Sequence, residues 1–288
     1  MNENNLGRRG KGLKLMGIRQ YKKILLTSLL WLATMALAQS QPVEGGMLTF
    51  YGRVNHWAES RAELTRELDL MAQVHVDGYM IELSGWGEMR WNGRWHRSVS
   101  REYSWLLRQC RKRNLLLFVS IVNDNMGRHK YGDKSPALAE VEDAARKLAR
   151  MVRKAGAKGV LVQPVAETQT EAGARMEQYC QHVLKDFPLV YNGEGGFPKR
   201  LPNGFQFRAV HPSSTHTSVP HGVFAVSDHG KLIRELNADG TLDGLADSTK
   251  LGDWIERMQA SGAAAIGYYV FQRTQADTTA IKLLGNKK

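Results

Sequence analysis

Apolar residues along the chain collect into eight short runs, and most runs stop at a residue that can hydrogen-bond or transfer a proton. The runs are LTFYGRV (48–54), GYMIEL (78–83), LLLFVSIV (115–122), GVLVQPVA (159–166), PLVYN (188–192), FQFRAV (205–210), VFAVS (223–227) and AAAIGYYVF (264–271). Near-continuous apolar runs of strand length predict parallel strands buried on both faces. Eight of them, several separated by helical pattern, predict an α/β fold of the (β/α)8 TIM-barrel type. In that fold the C-terminal strand ends converge on one bowl that carries the chemistry. The residues so delivered are Asn55, His56 and Trp57 after run one, Glu82 in run two, Asn123 after run three and Glu167 after run four. Glu194 follows run five, His211 run six, Asp228 run seven and Gln272 run eight.

Caps and periodicity place the helices. Ser60-Arg61-Ala62-Glu63 has the capping-box pattern, with Leu64, Leu68, Met71 and His75 recurring on one face. Ser135-Pro136 supplies an N-cap and an N1 proline for 136–155, where Leu138, Val141, Ala145, Leu148 and Val152 share a face and Gly156 is the stop. Residues 170–186 and 248–261 read as helices, and a last one over about 275–284 begins with Thr274-x-x-Asp277. The regular pattern fails after run five. Residues 193–204 carry Gly193, Gly195, Gly196, Pro198, Pro202 and Gly204, and 211–222 carry Pro212 and Pro220. Neither is a place for a full helix, so helices five and six are expected to be reduced or missing. An open or seven-stranded barrel is the alternative.

The N-terminus stands apart. Lys22-Lys23 precede ILLTSLLWLATMALA (24–38), ending in Ala36-Leu37-Ala38. A basic start, a short apolar core and a small-x-small exit describe a cleavable export signal over 1–38. Met16 is a possible alternative start. The stretch is short for a spanning helix, which needs about 20 apolar residues. Contact with the membrane is therefore expected only during export, and the mature protein is expected to be secreted or periplasmic. Residues 39–288 form one barrel-sized domain without a Gly/Ser/Pro-rich linker. The formal charge of +12 is largely a property of the leader. Seven Lys/Arg and one acid lie in 1–38, which leaves +6 for the remainder. Its basic residues form no block, and no nucleic-acid motif is present, so nucleic acid is not an expected partner. Cys110 and Cys180 fall in the patterns of the second and fourth helices. They are expected to be small buried hydrophobes rather than a disulfide.

Among the chemistry-bearing residues Glu167 stands first, because it follows an uncharged apolar run. A carboxyl at the rim of an apolar barrel suits a general acid near neutrality. The bland alternative is a cap for the following helix. Glycosidic bond cleavage needs two carboxyls across a cleft. Asp228 is the first choice of partner and Glu194 the reserve, followed by Glu82, which otherwise points into the barrel to bind or takes a salt bridge from an arginine. The loop Ser84-Gly85-Trp86-Gly87-Glu88-Met89-Arg90-Trp91-Asn92-Gly93-Arg94-Trp95-His96 reads as a hairpin with a type I′ turn at Asn92-Gly93. Tryptophans such as Trp86 and Trp91 on it offer flat faces to sugar rings. His56 and His211 are candidates for substrate hydrogen bonds. No HxH or HExxH spacing occurs, so no metal is expected. NADGTLDG (237–244) reads as an ordinary turn. With no nucleophile elbow, Walker A motif or dinucleotide glycine fingerprint, no cofactor is expected either.

Over residues 46–285 the chain resembles the (β/α)8 glycoside hydrolases, on the strength of Asn55-His56-Trp57, the aromatic second loop, Glu167 and Asp228. In the large clan of retaining barrel glycosidases the strand-four acid/base Glu is usually preceded by Asn, and the strand-seven nucleophile is Glu. Here Ala166 precedes Glu167, and strand seven runs out at Asp228. The resemblance implies an exported hydrolase of poly- or oligosaccharides, with Glu167 as acid/base and Asp228 as nucleophile or second base. Substrate would be bound by Asn55, His56, Trp57, Glu82, Trp86, Trp91, Asn123, His211 and Gln272. The rival readings are an exported barrel esterase or phosphodiesterase using His56, His211 and Asp228, and a non-catalytic carbohydrate-binding barrel.

Overall fold

The computed structural model describes residues 47–53, 60–82, 89–90, 94–95, 97–123, 138–155, 159–168, 171–192, 201, 204–227, 230–270 and 275–286. The leader, the cap at Ser135-Pro136 and Gly156 lie outside them.

The elements in chain order are β1 (Leu48–Arg53), α1 (Arg61–Gln73), β2 (Gly78–Glu82), β3 (Met89–Arg90), β4 (Arg94–Trp95), α2 (Arg97–Lys112), β5 (Leu116–Asn123), α3 (Leu138–Ala155) and β6 (Val160–Ala166). They continue with α4 (Glu171–Val183), β7 (Val190–Tyr191), β8 (Phe207–Val210), β9 (Phe224–Val226), α5 (Gly230–Leu236), α6 (Ser248–Ala260), β10 (Ala265–Val270) and α7 (Thr278–Gly285). All eight apolar runs became strands of one sheet, ordered β6-β5-β2-β1-β10-β9-β8-β7, with every pairing parallel. The circuit closes through a parallel bridge between Val162 and Leu189, where the Val162 N–H donates to the Pro188 carbonyl at 2.9 Å. This is the (β/α)8 barrel. No helix follows β8 through residues 211–223, and among the described residues none separates β7 from β8. The gaps fall where Gly and Pro crowd the sequence, because neither residue sustains a helix interior.

Strand alternation sorts the core into two shells. The barrel interior holds Phe50, Met80, Phe118, Leu161, Val190, Ala209, Phe224, Val226 and Tyr269. Phe50, Phe118, Phe207 and Phe224 meet at centroid distances of 4.9 to 6.1 Å and form an aromatic floor in its lower half. Met80 fills the centre between two glycines, since a Cβ at Gly267 would come within 2.8 Å of the Met80 thioether. The outer shell packs Tyr51, Tyr79, Leu117, Val162 and Tyr268 against helix residues such as Leu68, Met71, Leu148 and Trp254.

Helix ends steer the chain back to the sheet. The capping box at Ser60 and Glu63 is formed as expected. His75 is not on the α1 face. It lies beyond the helix with φ 64°, in a Schellman closure in which Val76 N–H donates to Met71 O and His75 N–H to Ala72 O. Asn114 (φ 56°) and Gly262 (φ 81°) close α2 and α6 in the same way. The last helix also begins later than its pattern predicts. Asp277 is its N-cap and not its third residue, with its side chain accepting from Ala280 N–H. The same buried carboxylate accepts from Ala246 N–H at 2.7 Å, while its own N–H donates to the Tyr51 hydroxyl at 2.9 Å. Asp277→Ala therefore removes a cap and orphans a buried N–H. It should lower stability by about 2–4 kcal/mol in urea denaturation.

The second loop is a hairpin, with Met89 opposite Trp95 and Arg90 opposite Arg94. The turn expected at Asn92-Gly93 lies outside the described residues. Cys110 on α2 and Cys180 on α4 are free and buried, and burial pushes both thiols up to about 12. At 237–244, Asp239 accepts from Thr241 N–H and Oγ1–H, as in an ordinary Asx turn.

Candidate active site

Above the aromatic floor the inward positions turn polar. Glu82 ends β2, two residues after the interior Met80, and is 3% exposed. Beside it in register lies Ser120 of β5, and beside that Gln163 of β6, whose Nε2 donates to Ser120 Oγ at 3.2 Å. By strand alternation Glu82 faces into the barrel, as Met80 does. The arginine at the end of β1, Arg53, points outward and is engaged by Glu67 of α1 through Nε and Nη2 at 2.8 and 2.5 Å.

Glu167 follows β6, the fourth barrel strand, and is 4% exposed with φ 54°. A residue with a Cβ pays about 1–2 kcal/mol in left-handed backbone, and such strain concentrates at functional sites. The next residue shows how the conformation is held. Thr168 N–H donates to the Asn192 carbonyl at 3.0 Å, and Thr168 Oγ1–H donates to Glu177 of α4 at 2.5 Å. Helix α4 starts at Glu171, so Glu167 lies four residues before it and outside its first turn.

Asn192, at the end of the fifth barrel strand, continues the interior face of Val190 and is 1% exposed. His211, at the end of the sixth, continues the face of Ala209. Asn192 Nδ2 lies 2.6 Å from His211 Nε2, and His211 Nδ1 lies 3.0 Å from the carbonyl of Val226, the last residue of β9. A carbonyl only accepts, so Nδ1 carries the proton. Three successive strand ends are joined in this way, just before Ser227-Asp228.

Of the residues expected in the bowl, the structure brings Glu82, Glu167 and His211 to the C-terminal ends of their strands. Asn123 ends β5 with its side chain outside the described set. Asn55, His56, Trp57, Trp86, Trp91, Glu194, Asp228 and Gln272 lie outside the described residues altogether. Asn192, Gln163 and Ser120 escaped the sequence reading. Asn192 ends its run as Glu167 ends run four, so the same rule applied to amides would have singled it out. Among the described residues no group of three or more His, Cys, Asp or Glu is placed to hold a metal ion. No helix among them is long and apolar enough to cross a membrane.

No protein-family model matches the sequence, and no curated protein matches it. Solved structures do match. One is a glycoside hydrolase family 5 enzyme from Prevotella bryantii B14 in complex with a xyloglucan tetradecasaccharide, at 12% identity and a TM-score of 0.55, covering 86% of this chain and 97% of that one. A GH5-4 broad-specificity endoglucanase from an uncultured bacterium matches at 12% identity and a TM-score of 0.54, over 89% and 96% of the two chains. The exo-beta-1,4-mannosidase Op5Man5 from Opitutaceae bacterium strain TAV5 matches at 14% identity and a TM-score of 0.52, over 78% and 52%. The chain therefore has the (β/α)8-barrel fold of these glycoside hydrolases.

Proposed function

We propose that the protein is an exported glycoside hydrolase acting on a poly- or oligosaccharide. The observation that carries this reading is Glu167: a buried carboxyl in left-handed backbone at the C-terminal end of the fourth strand, anchored on both sides of Thr168. Its carboxylic acid gives a proton to the glycosidic oxygen as the bond to the anomeric carbon breaks, so the leaving sugar departs as a neutral alcohol. A second carboxylate, Asp228 with Glu194 in reserve, attacks the anomeric carbon or takes the proton of the attacking water. Glu82 holds substrate hydroxyls, joined by Asn55, His56, Trp57, Asn123 and Gln272; His211, expected to do the same, has both ring nitrogens engaged and orients Asn192 instead. Trp86 and Trp91 supply the faces on which sugar rings rest. The structural neighbours support a β-linked glycan as the class to try first, one being solved with a xyloglucan oligosaccharide and another being a β-1,4-mannosidase.

The test is a screen of the purified protein against aryl glycosides, xyloglucan and mannan, with an aryl phosphodiester as control. Release of reducing sugar is expected, from protein recovered outside the cytoplasm with its N-terminus just after Ala38. Cleavage of the phosphodiester alone would point to the esterase class. Glycan binding without any turnover would point to a binding barrel.

A further inference from the structure

The Asn192–His211 pair has a chemical polarity that its hydrogen bonds determine. His211 Nδ1–H donates to the Val226 carbonyl, so in the neutral ring Nε2 has only a lone pair. The Asn192 group facing it at 2.6 Å must then be the amide NH2. This leaves Asn192 Oδ1 as an acceptor within a side chain that is 1% exposed, and it makes no hydrogen bond among the described residues. Buried acceptors are nearly always satisfied, and an unsatisfied one costs about 1–3 kcal/mol. Strand alternation turns this side chain into the bowl, on the face of Val190. Its backbone carbonyl holds Thr168, so it sits beside Glu167.

We propose that Asn192 Oδ1, presented by His211, is a subsite that accepts a hydrogen bond from a hydroxyl of a polyhydroxylated ligand bound next to Glu167. The ligand's nature as a sugar rests on the glycosidase reading; the acceptor itself does not. A neutral amide oxygen suits a hydroxyl donor, whereas a carboxylate or phosphate ligand would meet an acceptor and be disfavoured. His211 has a positioning role, because its locked tautomer dictates which end of the amide faces the ligand.

The experiment is calorimetric titration of the full-length protein with cellotetraose and with mannotetraose, alongside turnover of the same oligomers. Asn192→Ala should weaken the bound oligomer about ten-fold, the loss of one hydrogen bond. Asn192→Asp should bind within about two-fold of wild type, because one carboxylate oxygen takes Nε2–H of a protonated His211 and the other keeps the acceptor. A purely structural amide predicts the reverse, with Asn192→Asp failing as Asn192→Ala does, and that outcome overturns the subsite. So does unaltered affinity in Asn192→Ala, or a wild-type protein that binds neither oligomer. Asn192-dependent binding without turnover would sink the glycosidase reading and leave the subsite standing. Nitrogen-15 spectra of the wild-type histidine rings test the pair without any substitution. The neutral Nδ1–H tautomer is expected at His211, and an Nε2–H tautomer would overturn the proposal.

Discussion

Glu167→Gln should lower kcat by at least about 100-fold while leaving oligosaccharide affinity within about two-fold, since a positioned acid–base group contributes roughly 10²–10⁴-fold. Gln keeps the shape and the hydrogen-bonding reach of the side chain but has no proton to give at pH 7. The backbone of the site should persist, because Gln leaves two anchors on the next residue in place: Thr168 N–H to Asn192 O and Thr168 Oγ1–H to Glu177. The effect should therefore appear in kcat with KM little changed, the signature of an interaction made in the transition state alone. Aryl glycosides with good leaving groups need less protonation and should be affected less than natural glycans. Unchanged hydrolysis of both substrate types by Glu167→Gln would remove this residue from the mechanism.

Arg53→Met should lower stability by about 3–5 kcal/mol, the usual result of stripping one partner from a buried ion pair. Arg53 and Glu67 are 2% and 3% exposed, and their side chains meet through two guanidinium nitrogens. Burial already pushes the Glu67 carboxyl above its ordinary range, while Arg53 pulls it back through its hydrogen bonds and charge. Without Arg53 the pull is lost and the carboxyl rises further. An acid whose folded-state pKa exceeds its unfolded value loses stability as pH rises from the unfolded value through the folded one. The deficit of Arg53→Met should thus be small near pH 4 and full at pH 8, read from urea midpoints at the two pH values. A domain of this size has about 5–15 kcal/mol in all, so the change is large enough to see in expression as well. Arg53→Met combined with Glu67→Leu should recover most of the loss, because replacing the whole pair by apolar groups leaves no buried charge. A double variant as unstable as the single one would show that packing, not charge, sets the cost.

The barrel was legible because its signals are local. Each strand is a run of apolar residues, and Ser60-Arg61-Ala62-Glu63 writes its own cap. Gly and Pro in the two connections foretold that no helix follows β8 through residues 211–223 and that none separates β7 from β8 among the described residues. What failed was also local in appearance. His75 fits the helical spacing of Leu64, Leu68 and Met71, yet a left-handed closure takes it off the helix. Asp277 reads as the fourth residue of a box with Thr274 and is instead the cap itself. In both cases boundary geometry, which no periodicity encodes, decided the outcome. The hairpin was visible from Asn92-Gly93, but its register belongs to the Arg90–Arg94 pairing.

The amino-acid pattern by itself determined the eight barrel strands and the arrival of Glu82, Glu167 and His211 at one end of the barrel. These follow from near-continuous apolar runs of strand length and the residues that end them, a property of short segments. Only the tertiary structure decided that Arg53 belongs to Glu67 and not to Glu82, that Glu167 is bent into left-handed backbone through Thr168, and that Asn192 and His211 face each other. Those partners lie 14 to 24 residues apart in the chain or are strained against local preference. Packing of α1 on β1 brings the first pair together, pairing of β7 with β8 the last, and closure of the sheet between β6 and β7 brings Thr168 to Asn192.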